Sequence, residues 1–300
     1  MSYICRDCPR NCGAERPARR PSGRCGSPFL PRISRAAPHC GEEPCISGSR
    51  GSGAVFFTGC SLGCRFCQNA EISVPAGGPG KILTVAQLRD LFLRLQDSGV
   101  HNLNLVTASH YVLPAARALE LARLRIPVVW NSSGYEKPET LRRLEGLVQI
   151  YLPDFKFADR HLAEACANAP DYPEIAKEAI REMFRQTGPY QLRPDGLLQS
   201  GVLIRHLVLP GYPENAKSVI DWIARAFSPG TVLFSLMSQF TPMPRAAAIP
   251  HLSQKVGMRE YRRLEAYARD CGLSEGYFQD PSSATEQMIP KFDLTGIAER

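Results

Sequence analysis

The stretch Gly51-Ser-Gly-Ala-Val-Phe-Phe-Thr-Gly-Cys60-Ser-Leu-Gly-Cys64-Arg-Phe-Cys67 carries the reading of this chain. It opens on a short apolar run at 54–58 bounded by glycine, the pattern of a buried parallel strand. Cys60, Cys64 and Cys67 follow at once. Three thiolates do not close a tetrahedral zinc site without a fourth ligand from elsewhere. They do hold three irons of a cubane cluster and leave the fourth iron open to a substrate or cofactor. Gly59 and Gly63 let the backbone turn tightly there, and Phe66 supplies an apolar wall.

Downstream the strand pattern recurs. Apolar runs at 102–106, 127–130, 148–152, 201–209 and 231–237 alternate with amphipathic stretches at 84–97, 113–124, 138–144, 172–186 and 214–227, and a last helix is predicted at 258–270. In 214–227, Ile220, Ile223 and Ala224 repeat at the spacing of one helix face. This alternation predicts an α/β fold: a parallel sheet with right-handed crossovers, either a complete or partial barrel or doubly wound. No apolar run approaches the roughly 18–20 residues of a membrane span. The start, Met1-Ser-Tyr-Ile-Cys5, has no apolar signal region, so a cytoplasmic location is expected.

The chain has 300 residues, 44% of them hydrophobic, enough for a sizeable core. Six of its eleven cysteines lie in residues 1–50, three in the loop above, and only Cys166 and Cys271 beyond, where they are expected as packing thiols. In a reducing compartment such clustering points to metal or redox work rather than disulfides. Residues 1–50 also hold nine Arg, no Lys and four acids, which is +5 of the formal +7. The rest is nearly neutral, so binding of nucleic acid by the whole chain is not expected.

With seven Pro, five Gly and no helical or strand period, residues 1–50 are expected to lack an apolar core and to be ordered by metal. Cys5, Cys8, Cys12 and Cys25 are the candidate ligands, with His39, Cys40 and Cys45 as alternatives. Zinc and a second iron–sulfur cluster both suit the spacing, and a four-cysteine zinc site is preferred. Arg16, Arg19, Arg20, Arg24, Arg32 and Arg35 read as a solvated loop rather than a nucleic-acid surface, because only Tyr3 and Phe29 stand near them for stacking. The expected division is a segment at 1–50, the α/β body at 51–280 and a surface tail at 281–300.

The three-cysteine loop, with a strand before it and an aromatic before its last cysteine, resembles the CxxxCxΦC loop of the radical SAM enzymes. Glu43-Pro-Cys-Ile-Ser-Gly48, the stretch from Gly51 to Cys60, and Cys64-Arg-Phe-Cys67-Gln-Asn-Ala-Glu-Ile-Ser73 resemble most the pyruvate formate-lyase activating enzymes, and among them the branch called PflX-like. The likeness runs from Cys5 to about Gln279. It implies a partial (β/α)6 barrel and a [4Fe-4S] cluster on Cys60, Cys64 and Cys67. It also implies reductive cleavage of S-adenosylmethionine (SAM) to a 5′-deoxyadenosyl radical that abstracts hydrogen. The partners implied are a flavodoxin or ferredoxin as electron donor and a glycyl radical enzyme as substrate. Another peptide, protein or small molecule is the alternative substrate, because Arg50-Gly-Ser-Gly53 stands where the activating enzymes carry Asp-Gly-Pro-Gly. The reading from a different class is a noncatalytic zinc protein associated with RNA.

In such a fold the ligands come from the carboxyl ends of the strands. The resemblance puts there Thr107, Ser109 and His110 after the second strand, where the activating enzymes have a Gly-Gly-Glu turn. Asn131 and Ser132 follow the third strand, suited to the ribose. Asp154 and Lys156 match the family's Asp-Leu-Lys and, two apart on a strand, share a face. Arg205, on the fifth strand, would point inward and needs a carboxylate partner, either Asp154 or the SAM carboxylate. Met237, Gln239 and Phe240 follow the sixth, for adenine or substrate.

Overall fold

The computed structural model describes residues 3–73, 78–279 and 290–297. A hairpin pairs β1 (Tyr3–Ile4) with β2 (Glu15–Arg16). The chain then runs through β3 (Arg32–His39), the single turn α1 (Pro44–Ser47), β4 (Ser52–Phe57), α2 (Ala70–Ser73), β5 (Lys81–Ile82) and α3 (Val85–Asp97). Next come β6 (Leu103–Val106), α4 (Val112–Ala122), β7 (Val128–Ser132), α5 (Pro138–Leu141), β8 (Ile150–Pro153), α6 (Arg160–Ala167) and α7 (Tyr172–Thr187). The last elements are β9 (Gln191–Leu192), β10 (Leu198–Leu207), α8 (Pro213–Ala226), β11 (Leu233–Met237), α9 (Met258–Asp270) and β12 (Gly276–Phe278).

The main sheet has the order β12-β11-β10-β8-β7-β6-β4-β3-β5, with β9 paired to β10. Along that order every pair from β4 to β12 is parallel, β3 and β5 add an antiparallel edge, and the short β9 is antiparallel to β10. Spatial order follows chain order, so the sheet is wound in one direction and is not doubly wound. Among the described residues β12 and β5 are its edges, and no strand pairing closes it. No helix among them is long and apolar enough to cross a membrane.

Side-chain alternation sorts the sheet into two faces. Val55, Phe57, Leu103, Leu105, Trp130, Tyr151, Val202, Ile204, Phe234 and Leu236 turn toward the helices and form the main core. On the opposite face, Val129, Ile150, Leu152, Leu203 and Leu233 close around Cys45 and Ile46 of α1. Cys45 therefore packs within the fold and is not a ligand of the amino-terminal segment. Above this apolar floor, toward the strands' carboxyl ends, the same face carries Asn131, Asp154, Arg205 and Ser235.

Two expectations change here. Residues 1–50 contain an eight-residue strand, β3, antiparallel to β4, so the sheet begins before residue 50. Its period is hidden in sequence because a register irregularity between Ile33 and Arg35 breaks the alternation and Pro38 sits within it. Of the expected surface tail, 281–289 and 298–300 lie outside the described residues, and 290–297 are docked. The Leu294 amide donates to the Ser34 carbonyl at 3.0 Å and the Ala36 amide to the Thr295 carbonyl at 2.9 Å. Phe292 and Ile297 are buried, Phe292 with its ring edge-on to Phe56 at 5.6 Å. Cys166 is a packing thiol, as expected, pushed up to about 12 by burial.

Candidate functional site

A cleft of about 1200 Å3, including its open mouth, lies at the carboxyl ends of the parallel strands. Cys60, Cys64 and Cys67 line one side of it with Phe66, and Thr107, Asn131, Ser132, Asp154, Lys156, Arg205, Met237 and Gln239 line the rest. All eleven cysteines are free thiols. Leu62, Cys64 and Phe66 are rooted in the main core, which holds the loop in place. Phe66 packs against Phe157 and Phe240, each ring 5.9 Å away, so Phe240 supports the wall from behind.

The three sulfurs suit a cluster by their surroundings. The Gly63 amide donates to the Cys60 sulfur at 3.4 Å. Burial pushes the Cys60 and Cys64 thiols up, while the Lys156 ammonium nearby opposes that rise. Iron ligation would displace these protons, and the cation would then face thiolate.

Opposite the loop stands a buried charge network. Asp154 accepts from Lys156 Nζ at 2.6 Å and from Arg205 Nε at 2.9 Å. Burial alone would raise the Asp154 carboxyl, but Arg205 and Lys156 outweigh it and hold it below its ordinary value. Burial likewise works to lower Lys156, and Asp154 keeps it above its ordinary value. Arg205 has further partners: Glu42 Oε2 at 2.9 Å and Asn131 Oδ1 at 2.6 Å. Glu42 Oε1 in turn accepts from Asn104 and Asn131, each at 3.0 Å. All three nitrogens of the guanidinium are therefore engaged. Lys156 has one carboxylate and keeps donors for a ligand in the cleft, and a SAM carboxylate on Arg205 would have to displace Glu42 or Asn131.

Sequence reasoning missed Glu42, Glu43 and Asn104. The acid pair before Pro44 was visible, but nothing in sequence told that α1 would lift it into the sheet's polar face. Glu43 is half-buried, its carboxyl raised by burial against the pull of Arg205, and its Oε2 has no hydrogen-bond partner among the described residues.

Two expected cofactor residues turn away from the cleft. Thr107 adopts a positive φ of 61°, and a 3-10 turn at Ser109–Tyr111 points the following side chains behind the sheet. Ser109 bonds to buried Glu136, which also receives Trp130 Nε1 at 2.7 Å. His110 Nε2 meets the Thr58 carbonyl at 3.1 Å, and burial pushes this imidazole down to about 3, so it stays neutral. Ser132 lines the cleft, but its hydroxyl donates to Glu136. Gln239 is set by Gln279, whose side-chain amide donates to it at 2.9 Å.

In the amino-terminal segment Cys5, Cys8 and Cys25 are buried and Cys12 is exposed. Among the described residues no three Cys, His, Asp or Glu groups converge closely enough to hold a single metal ion, here or at Cys60, Cys64 and Cys67.

The radical SAM superfamily profile matches residues 54–223, more than half of the chain, and the chain belongs to that superfamily. That superfamily implies SAM and a [4Fe-4S] cluster. The chain is 26% identical over 250 residues to the uncharacterized protein MJ0674 of Methanocaldococcus jannaschii, a match covering 78% of this chain and 66% of that protein's length. Among solved structures, SuiB of Streptococcus suis bound to S-adenosylmethionine aligns with a TM-score of 0.46 at 13% identity, over 76% of this chain and 46% of SuiB.

Proposed function

We propose that the chain cleaves SAM reductively and directs the resulting radical at a hydrogen of a second molecule held in the same cleft, with a glycine of a glycyl radical enzyme as the nearest substrate by sequence resemblance. The observation that carries this is the meeting, in one cleft, of three free cysteines with the Lys156–Asp154–Arg205 network. The cluster and SAM, when bound, supply the one-electron cleavage that yields methionine and a 5′-deoxyadenosyl radical. Cys60, Cys64 and Cys67 would ligate the irons. Lys156, kept protonated by Asp154, would take the SAM carboxylate, and Asn131 the ribose. Phe66, Phe56 and Leu207 give the cleft apolar walls.

The electron would come from a flavodoxin or ferredoxin. The departures at Arg50-Gly-Ser-Gly53 and at 106–110 favour a second reading of the substrate, as another peptide, protein or small molecule. Zinc or a second iron–sulfur cluster at Cys5, Cys8, Cys12 and Cys25 is part of the proposal.

Anaerobic reconstitution with iron and sulfide, then reduction with SAM present, should release 5′-deoxyadenosine. Its absence overturns the proposal. If it forms, an EPR glycyl radical on a co-incubated glycyl radical enzyme separates the activase reading from its alternative.

A further inference from the structure

We infer that Cys5, Cys8, Cys12 and Cys25 hold a second iron–sulfur cluster, balanced in charge by Arg16, which relays electrons past Gly59 to the cluster on Cys60, Cys64 and Cys67. Only the acceptor end of this relay rests on the proposed function above.

The first observation is a buried cation without an anion. Arg16 is 2% exposed. Its guanidinium donates to the carbonyls of Ser27, Pro28 and His110 and, at 3.7 Å, to the Cys5 sulfur. Among the described residues no carboxylate pairs with it. Glu15, its neighbour in sequence, is exposed, and Asp7 is taken by the Tyr3 hydroxyl at 2.6 Å and the Cys5 thiol at 3.6 Å. A buried charge left uncompensated costs several kcal/mol. Cys5 and Cys25 are the groups placed to balance it. As thiols they are neutral; as ligands of a cluster they are thiolates, and the charge is met. Cys8 lies within electrostatic reach of Cys5, Cys12 and Cys25.

The second observation concerns size. A zinc ion with bonds of about 2.3 Å draws its sulfurs close together. Among the described residues neither the amino-terminal cysteines nor Cys60, Cys64 and Cys67 are gathered as the ligands of a single metal ion would be. A polynuclear cluster bonds each cysteine to an iron of its own and does not need that convergence.

The third observation is placement. Gly59, immediately before Cys60, has a φ of 98°, and a Cβ there would lie 2.2 Å from Ser27 Oγ and 2.8 Å from the Cys25 carbonyl oxygen. Arg10, between Cys8 and Cys12, donates to the carbonyls of Ser61 at 2.9 Å and Leu62 at 3.0 Å. The two cysteine-bearing loops thus pack against each other on both sides of Cys60. At the far edge Cys12 is exposed, as are Arg19, Arg20 and Arg24, a cationic surface suited to an acidic one-electron carrier. The balance is simple: the carrier gives one electron, the second cluster passes from 2+ to 1+ and back to 2+, and the acceptor cluster passes from 2+ to 1+. No bond forms and no proton moves.

The test begins with the Cys60→Ala/Cys64→Ala/Cys67→Ala variant of the full chain, reconstituted anaerobically. It should keep about four irons and four sulfides per chain. Zinc there, or no iron, overturns the proposal, whatever the wild type does to SAM. In that background Arg16→Gln should lower the reduction potential of the remaining cluster, because a nearby cation favours the more negative reduced state; an unmoved potential overturns the role of Arg16. In the otherwise intact chain, Cys5→Ser/Cys8→Ser should cut flavodoxin-driven SAM cleavage at least tenfold and leave dithionite-driven cleavage near wild type. Equal rates with flavodoxin, or equal loss with both donors, overturns the relay.

Discussion

Two cysteine-bearing turns lie back to back in this molecule and are held by different means. The loop at 60–67 hangs from β4, and Leu62, Cys64 and Phe66 belong to the main core. The segment at 3–30 contributes no residue to any apolar core cluster. It is fastened by polar arms instead. Arg10 reaches the carbonyls of Ser61, Leu62, Ala167 and Asn168, and lies over the Tyr135 ring at 5.1 Å. From the other side Lys137 Nζ donates to the Arg6 carbonyl at 3.0 Å and Thr140 Oγ1 to the Asp7 carbonyl at 2.8 Å. Hydrophobic burial positions the first set of sulfurs whether or not metal is bound. The second set depends on hydrogen-bonded clamps and on whatever meets the charge of Arg16.

The largest expected effect separates the two regions by chemistry. Replacing Cys60, Cys64 and Cys67 together by Ala should reduce 5′-deoxyadenosine formation to background while circular dichroism and the cooperative melt persist. Surviving cleavage would mean that this loop is not the SAM site. Next comes Arg205→Met, which leaves Asp154 and Glu42 buried against a single remaining cation. It should cost about 3–5 kcal/mol in denaturant unfolding, and a loss below about 1 kcal/mol would show that the cleft network is already solvated.

Arg10→Ala should act on the amino-terminal segment alone. It removes several hydrogen bonds from one charged group, worth roughly 1.5–3 kcal/mol each. Amide exchange should therefore speed up across 3–30 and stay unchanged in β4. Equal acceleration in both would merge the two regions into one folding unit.

The smallest effect, nil at neutral pH, concerns the core that supports the loop. His206 is fully buried, its Nδ1 meets the Phe155 carbonyl at 2.7 Å, and burial pushes it down to about 4. The unfolded chain binds a proton near the ordinary value of about 6.5, so the folded state loses stability as pH falls from about 6.5 toward 4 and is fully favoured above it. Thermal melts from pH 7 to 4 should show this decline, and His206→Asn should lessen it. An identical decline in the variant would assign it to other groups.

Much of the sheet was legible because its inner parallel strands are buried on both faces and read as short apolar runs between turn residues, whereas the half-buried edge strand β12 was not. The observed β4, β6, β7, β8, β10 and β11 fall within a few residues of those runs, and α9 matches its expected bounds. The edge strand β3 was not legible, since an edge with a bulge and a proline need not alternate. In the site, Asp154, Lys156 and Arg205 came together because strand register puts Asp154 opposite Arg205. Ser109 and His110 went elsewhere, because a single left-handed residue, Thr107, redirects the chain after β6.

The sequence by itself determined the α/β alternation, the three-cysteine loop behind the first parallel strand, and the concentration of cysteine and arginine before residue 50. These are local facts of spacing and period. Only the tertiary structure decided that Glu42 would close the Arg205 cage, that α1 would fill the sheet's apolar floor, and that Cys25 would lie against Gly59. Those contacts join residues far apart in the chain. Their energetics depend on burial, which makes an unpaired charge costly and so favours the pairing of Arg205 with Asp154 and Glu42.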